Sequence, residues 1–290
     1  MGGESVLVTG ARGFIGKTLV ARLASAGRSV IAVGRTTLQH FIGMENVECR
    51  ISDLTTLDRL PDSVTTVIHC AATSPQAGVT ASAIIRDNVC ATRQLVELSC
   101  RANVKRFIFL SSVSAFGQIK EPVLDEIHPS VDPDLYGLTK RIGEELLAAS
   151  ATEMASLALR LPGIVGHGAG RNWLTRVKAD IEAGREVKAF NLDHPYNNAV
   201  HVDDLCEFLL SLASASFQGF DMITLGAAGA IPLARALQLL MQSLGRKVPI
   251  IEVEAAGRRS FIIDSKKASR RYGYHSMRIE EVISRYGGTT

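Results

Sequence analysis

Apolar residues follow two rhythms along the first half of the chain. Short runs rich in Val, Ile and Leu fall at residues 5–9, 29–33, 47–51, 64–70, 106–111 and 155–161. Several are apolar on consecutive positions, as strands buried on both faces are. Between them, at 14–26, 81–102 and 136–150, apolar positions recur at helical spacing. Strand–helix alternation of this kind predicts an α/β fold built on a doubly wound parallel sheet. After Leu161 the regularity fades. Pro162-Gly163 and a glycine-rich loop from Gly166 to Gly170 precede a helix ending near Gly184, and further helices are expected near 203–213 and 232–244. The expected organisation is one domain at 1–163 and a smaller, less regular part at 164–290. Of the latter, about 200–213 should pack back on the first domain.

Composition narrows the class. The chain has 290 residues, of which 46% are hydrophobic and 21% charged, so it is not a disordered chain. Lys+Arg exceed Asp+Glu by 32 − 29 = 3, and no dense basic run occurs, which argues against a nucleic-acid partner. No apolar stretch approaches the ~18 residues of a membrane span. The start, Met1-Gly2-Gly3-Glu4, lacks a basic segment, the run after it is short, and Val6 does not fit a myristoylation signal. Five cysteines are scattered without a CxxC pair, so neither a disulfide framework nor a zinc site is expected. These features predict a soluble, reduced, cytoplasmic protein without a membrane partner and without a metal.

Three motifs carry chemistry. The first strand runs into Thr9-Gly10-Ala11-Arg12-Gly13-Phe14-Ile15-Gly16. Glycines at 10, 13 and 16 permit a tight turn, close approach of backbone to a pyrophosphate, and close packing of helix on strand. The helix that follows offers free N–H groups to the phosphates. After the second strand come Gly34-Arg35, with no carboxylate in this stretch to bind ribose hydroxyls. A guanidinium there suits a 2′-phosphate, which favours NADP, with NAD possible. Tyr136 and Lys140 stand four apart on one helix face. A nearby ammonium is expected to lower the tyrosine pKa and ready it for proton transfer. Ser111-Ser112-Val113-Ser114 ends the fifth strand at the carboxyl edge of the sheet, where such sheets bind ligands.

Together these motifs resemble the extended short-chain dehydrogenase/reductase family, the NAD(P)-dependent nucleotide-sugar epimerases, dehydratases and reductases. The resemblance covers nearly the whole chain and implies a Rossmann-type dinucleotide domain with a C-terminal substrate-binding part. It implies cofactor contacts from Thr9, Gly10, Arg12, Gly13, Phe14, Ile15, Gly16 and Arg35. Asp53 and Leu54 match the pair that contacts adenine. Ala71 and Ala72, in His69-Cys70-Ala71-Ala72, lie where the family's fourth-strand turn runs along the cofactor. Asn88 fits an asparagine that orders the central strand near the site, and Pro162 lies in the landmark Leu159-Arg160-Leu161-Pro162-Gly163. Ser112, Tyr136 and Lys140 match the catalytic residues, the last two also touching the cofactor. His201-Val202-Asp203-Asp204 is a further landmark, read as structural.

Departures from the family pattern sharpen the reading. The dehydratases carry an Asp-Glu pair directly after the catalytic Ser/Thr, and here those positions are Val113 and Ser114. Many members have an arginine near the nucleotide diphosphate where this chain has Asn197. Substrate contacts are therefore expected from Ser114, Asn197, Arg171 and Arg259, with Arg258 an alternative to Arg259. The leading expectation is NADPH reduction of a nucleotide-linked 4-keto-6-deoxyhexose. A nucleotide-sugar 4-epimerase and a non-catalytic dinucleotide-binding protein are the alternatives. The resemblance also implies a homodimer through the helices at 81–102 and 136–150. The second carries the apolar stripe Leu138, Ile142, Leu146 and Ala149.

Overall fold

The strands that read as unbroken apolar runs are the interior strands of a sheet. In the computed structural model, which describes residues 4–170, 172–255 and 259–288, β1 (Ser5–Thr9) is buried at every position. β2 (Ser29–Gly34), β4 (Val64–His69) and β5 (Arg106–Ser112) are buried along nearly all their length. β3 (Val47–Ile51) alternates Val, Glu, Cys, Arg and Ile, and it is exposed. It closes one edge of a seven-stranded sheet whose other edge holds β6 (Ala155–Leu161) and β7 (Phe220–Thr224), in the order β7-β6-β5-β4-β1-β2-β3. The pairs β1–β2, β1–β4, β2–β3 and β4–β5 are parallel. The strand order reverses between β1 and β4, the kind of switch point at which doubly wound sheets open a ligand crevice.

β7 has no counterpart among the expected strands. Phe220-Asp221-Met222-Ile223-Thr224 is short and carries a charge, so its pattern does not stand out. The expected helix at 81–102 is three pieces: α2 (Ala81–Ile85), a π-helical turn over Arg86–Cys90, and α3 (Ala91–Arg101). A π turn adds one residue without interrupting the helical rise, so periodicity alone does not reveal it. α1 (Phe14–Ser25) and α4 (Leu135–Ala149) complete the layers. Asp134 caps α4 by accepting from the Gly137 N–H at 2.7 Å.

The chain divides into two compact units, and the division is not a single cut. The first holds Met1–Gly117, Pro129–Arg160 and Cys206–Ile223; the second holds Gln118–His128, Leu161–Leu205 and Thr224–Thr290. The first unit's core gathers Leu7, Ile31, Val67, Leu95, Phe107 and Phe109, all almost fully buried. Each such side chain contributes about 1.5–3 kcal/mol by leaving water.

The second unit has short strand pairs instead of a large sheet. Gly163–Val165 runs parallel to Ala199–His201, and Val187–Ala189 parallel to Ile250–Glu252. Its helices include α5 (Trp173–Glu182), α7 (Leu233–Ser243), α8 (Lys266–Tyr272) and α9 (Ile279–Gly288). α6 (Val202–Leu212) begins in the second unit and ends in the first. The second core is built from Leu174, Ile181, Leu237, Leu240, Val282 and Ile283.

Candidate active site

The glycine loop is shaped by contacts that leave no room for side chains. Gly10 has φ +63°, and a Cβ there would lie 2.7 Å from the Ala71 backbone nitrogen. A Cβ on Gly16 would lie 2.3 Å from the Gly10 carbonyl oxygen, so α1 packs on the loop only because this residue is glycine. Gly13 is the N-cap of α1 and supplies no capping side chain, and the first turn holds no acidic residue. The N–H groups of that turn are thus offered to an anion. Beside the loop lies a cleft of about 320 Å³. It is lined by the expected cofactor residues Gly10, Arg12, Gly13, Arg35, Asp53, Leu54, Ala71 and Ala72. Phe14 and Ile15 open α1 next to it. A backbone cradle and a cleft of this size fit a dinucleotide.

Two expected contacts have other tasks in the structure. Thr9 is fully buried, and its hydroxyl lies 2.6 Å from His69 Nδ1 while accepting from the Ala71 N–H. On the other ring nitrogen, His69 Nε2 is 2.9 Å from the Thr92 hydroxyl, which itself donates to the Asn88 carbonyl. Only one proton arrangement satisfies all of these: Nε2 carries the hydrogen, and Nδ1 accepts from Thr9. Burial, helped by the Lys140 charge, holds the His69 pKa down to about 3, so the ring is neutral. Thr9 therefore ties the glycine loop to the fourth strand. Asn88 is also buried. Its oxygen accepts from the Thr73 N–H, and its nitrogen donates to the Thr73 carbonyl and the Thr139 hydroxyl. Every polar atom of its amide is used to clamp the loop after β4 against α4, so it positions the cleft wall.

Arg35 keeps its place in the cleft wall and has a partner there. The stretch after β2 contains no carboxylate, but the π turn delivers one. Asp87 Oδ2 accepts from Arg35 Nη1 at 2.7 Å. Asp53, for its part, turns Oδ1 onto the Thr55 N–H and hydroxyl, and these bonds keep its pKa below the usual value.

The turn that follows Ser112 lies against the helix that carries Tyr136 and Lys140 because two backbones nearly touch. Ser112 ends β5 and caps a 3₁₀ turn, Val113–Phe116, accepting from the Ser114 N–H at 3.1 Å. A Cβ on Gly137 would lie 2.0 Å from the Ser114 carbonyl oxygen, so glycine lets α4 seat on that turn. Tyr136 and Ser112 are thereby carried by elements in direct contact, and Ser114 lies in the same turn. Lys140 is 3% exposed, and its Nζ donates to the Leu110 carbonyl at 2.7 Å. Burial lowers its pKa to about 8. The expected lowering of the Tyr136 pKa does not occur. Burial pushes it up against a hydrogen bond with Ser74, and Asp134 adds to the rise. The ammonium lies 5.8 Å from the Tyr136 ring centroid and has turned a donor to Leu110.

One turn beyond Lys140, a buried network braces the same elements. Glu144 accepts from the Ser111 hydroxyl at 2.6 Å and from Arg160 Nε and Nη2 at 2.8 and 2.6 Å. The Arg160 guanidinium lies 4.0 Å over the Phe116 ring. Glu144, Ser74 and Asp87 were absent from the sequence expectations. Only Glu144 had a readable signal, its place one helical turn after Lys140.

The second unit contains a separate cleft of about 320 Å³, walled by Trp173, Phe190 and Tyr196, with Arg176 and Arg259 at its surface. The Trp173 and Tyr196 rings lie 5.9 Å apart. Arg259 thus lines a cleft, whereas Arg171 and Arg258 lie outside the described residues. Asn197, expected to touch substrate, is committed to the protein's own backbone. It is buried, donates to the Ala227 and Ile263 carbonyls, and accepts from the Ile263 N–H at 2.8 Å. It pins two other segments of backbone to its own, a task that uses both polar atoms of its amide. Pro162, just past the end of β6, belongs to this unit and is half-buried. Among the described residues, no helix is long and apolar enough to cross a membrane, and no group of three or more His, Cys, Asp or Glu could hold a metal.

A nucleotide cradle on a switched parallel sheet, with Tyr and Lys on the adjacent helix, defines a class that comparison with known proteins makes plain. The chain belongs to the NAD dependent epimerase/dehydratase family, whose profile matches residues 6–226. It is 26% identical over 266 residues to dTDP-6-deoxy-L-talose 4-dehydrogenase (NAD(P)(+)) of Kitasatospora kifunensis, covering 86% of this chain and 82% of that one. It is 28% identical over 177 residues to the decarboxylating sterol-4-alpha-carboxylate 3-dehydrogenase of Dictyostelium discoideum, covering 56% of this chain and 54% of that enzyme. Among solved structures, MoeE5 in complex with UDP-glucuronic acid and NAD superposes with a TM-score of 0.83 at 26% identity. That match covers 98% of this chain and 97% of the other.

Proposed function

We propose that the protein is a nicotinamide-dinucleotide oxidoreductase that reduces the keto carbon of a nucleotide-linked 4-keto-6-deoxyhexose, using NADPH. The observation that carries this reading is the seating of α4 on the turn after β5. It sets the turn that follows Ser112 against the helix that carries the Tyr136 phenol and the buried Lys140 ammonium, at the carboxyl edge of the sheet. Ser112 Oγ accepts from Ser114, so its own hydrogen is available for a carbonyl oxygen. Tyr136, its pKa raised by burial, keeps its proton at neutral pH and passes it to that oxygen. Lys140 then balances the tyrosinate. When bound, the reduced nicotinamide supplies the hydride to the carbonyl carbon, so that C=O becomes CH–OH. The likeness to a talose 4-dehydrogenase over most of both chains supports a 4-position substrate. Arg12 and Arg35 in the cleft support NADP. The aromatic walls and two guanidiniums of the second unit suit a base and a phosphate.

Incubation with NADPH and a panel of UDP-, dTDP-, GDP- and CDP-linked 4-keto-sugars tests the reading. The expected result is one mole of NADPH consumed per mole of sugar reduced. Conversion of an unmodified nucleotide sugar to its 4-epimer without net consumption would support the second reading, a 4-epimerase. The NAD-bound structural neighbour and the neutralisation of Arg35 by Asp87 favour that alternative. Binding of dinucleotide with neither activity would leave a non-catalytic binder.

Two further features belong to this reading. The stripe on α4 faces away from the sheet: Leu138 is 44% exposed, and the buried face holds Gly137, Lys140, Gly143, Glu144 and Leu147 instead. With Ile85 of α2 equally exposed, it suits a homodimer, and a monomeric mass by light scattering would overturn that. Five free cysteines suit the reducing cytoplasm.

A further inference from the structure

The cleft beside the glycine loop is lined by Arg12 and Arg35 and by Asp53 and Asp87. Asp53 is committed to Thr55. Arg12 Nη1 donates to the Thr36 hydroxyl at 2.7 Å, which sets a second guanidinium beside the end of β2. Asp87 is the side chain that connects the rest. Oδ2 accepts from Thr73 Oγ1 and from Arg35 Nη1, both at 2.7 Å, and Oδ1 accepts from Arg86 Nε and Nη2 at 2.9 and 2.8 Å. Burial opposes its charge, yet these donors together hold its pKa below the ordinary carboxylate value.

Its two partners toward the cleft differ in freedom. Thr73 is locked, because Asn88 grips both its N–H and its carbonyl. Asp87 is therefore held in place, its side chain only 11% exposed, whereas Arg35 is 56% exposed and reaches it from just past the end of β2. A 2′-phosphate asks for cationic donors, and a 2′-hydroxyl asks for an acceptor. This cleft contains both, joined to each other.

We propose that Asp87 sets the choice of dinucleotide by competing with the ligand for Arg35, so that the cleft accepts NAD as well as NADP. With a 2′-hydroxyl, Arg35 stays on Asp87 and the pair is neutral. With a 2′-phosphate, Arg35 moves onto the phosphate, where Arg12 joins it. The release is tolerable because Asp87 keeps Thr73 and Arg86; a buried carboxylate stripped of all partners would be costly. The affinity for NADP is thus reduced by whatever the Arg35–Asp87 contact is worth, and NAD gains by the same device. This inference rests on the dinucleotide reading above.

Calorimetric titration of the purified protein with NADP+ and with NAD+, without sugar, tests it. The wild type should bind the two within about tenfold of each other. Asp87→Asn keeps the shape of the side chain and removes the competing charge. It should tighten NADP+ about tenfold while leaving NAD+ no tighter. Arg35→Ala, a surface change that does not threaten folding, should weaken NADP+ about tenfold and alter NAD+ by less than about twofold. In the Arg35→Ala background, Asp87→Asn should shift NADP+ by no more than about twofold, the signature of coupling through that arginine. An unchanged NADP+/NAD+ ratio in Asp87→Asn, or the same gain with and without Arg35, overturns the role of Asp87 and leaves the dinucleotide reading standing. Equal loss of both cofactors in Arg35→Ala overturns it even if Asp87→Asn does not fold. A wild type that binds neither dinucleotide brings down both.

Discussion

The two units build their clefts from different materials. In the first, the cradle is backbone: Gly10, Gly13 and Gly16 make space by lacking side chains, and α1 presents amides. In the second, the cleft is walled by side chains from separate segments, Trp173 and Arg176 on α5, then Phe190, Tyr196, Leu233 and Arg259. Backbone cradles depend on a short local motif and bind what many enzymes share. Side-chain walls depend on distant residues meeting, and they suit the part of a ligand that varies. Both units use buried polar side chains as pins, yet the first places ionised groups behind its site while the second relies on a neutral amide, Asn197.

The comparison can be broken first at the chemistry. Tyr136→Phe removes one hydroxyl from the first unit. It should lower kcat by about 10²–10⁴ with dinucleotide affinity nearly unchanged. Undiminished single-turnover hydride transfer would remove the phenol from the mechanism. Next in size is the ionised brace. Glu144→Ala leaves Arg160 buried and unpaired, which should cost about 3–5 kcal/mol in urea unfolding. A loss below about 1 kcal/mol, the scale of an exposed ion pair, would show that the network is not closed to water.

His69 offers a pH test of the same unit. Its folded pKa, about 3, lies below its unfolded value of 6.5. Its neutral form is therefore favoured by folding, and that stability is complete above about pH 6.5 and is lost as pH falls toward 3. Between pH 7 and pH 5 the loss should be about 2 kcal/mol. His69→Gln should flatten that slope when unfolding is followed by circular dichroism. Matching slopes in both proteins would place a proton on the native ring. An effect of similar size is expected in the second unit, with no change at the first unit's cradle. Asn197→Ala strands the Ala227 and Ile263 backbone groups and should cost about 1–3 kcal/mol. Dinucleotide affinity should not change. A fall in that affinity would make the first unit's cradle dependent on the second unit's integrity.

Legibility followed the same division. The interior strands were plain because burial on both faces demands unbroken apolar runs, and β3 was found despite its polar positions because Val47 and Ile51 frame them. β7 was missed because its five residues include a charge, Asp221, and carry no period. The π turn was missed because helical rise masks it, and with it went Asp87, which lies 52 residues from the arginine it holds. Asn197 was assigned to substrate by alignment with a landmark, and its burial assigns it to the scaffold.

The amino-acid sequence by itself determined the sheet's interior strands, the glycine cradle and the spacing of Tyr136 and Lys140, since each depends on residues within a few positions of one another. Local spacing dictates which backbone can turn and which side chains share a helix face. The protonation of those groups was decided only by tertiary structure. Burial raises Tyr136 and lowers Lys140 and His69, and no residue's burial is written in its neighbours along the chain. The same holds for the ion pair of Arg35, whose carboxylate partner Asp87 is brought to it by a helical turn 52 residues away. Electrostatics acts through space, so the partner that decides a side chain's chemistry can stand anywhere in the sequence.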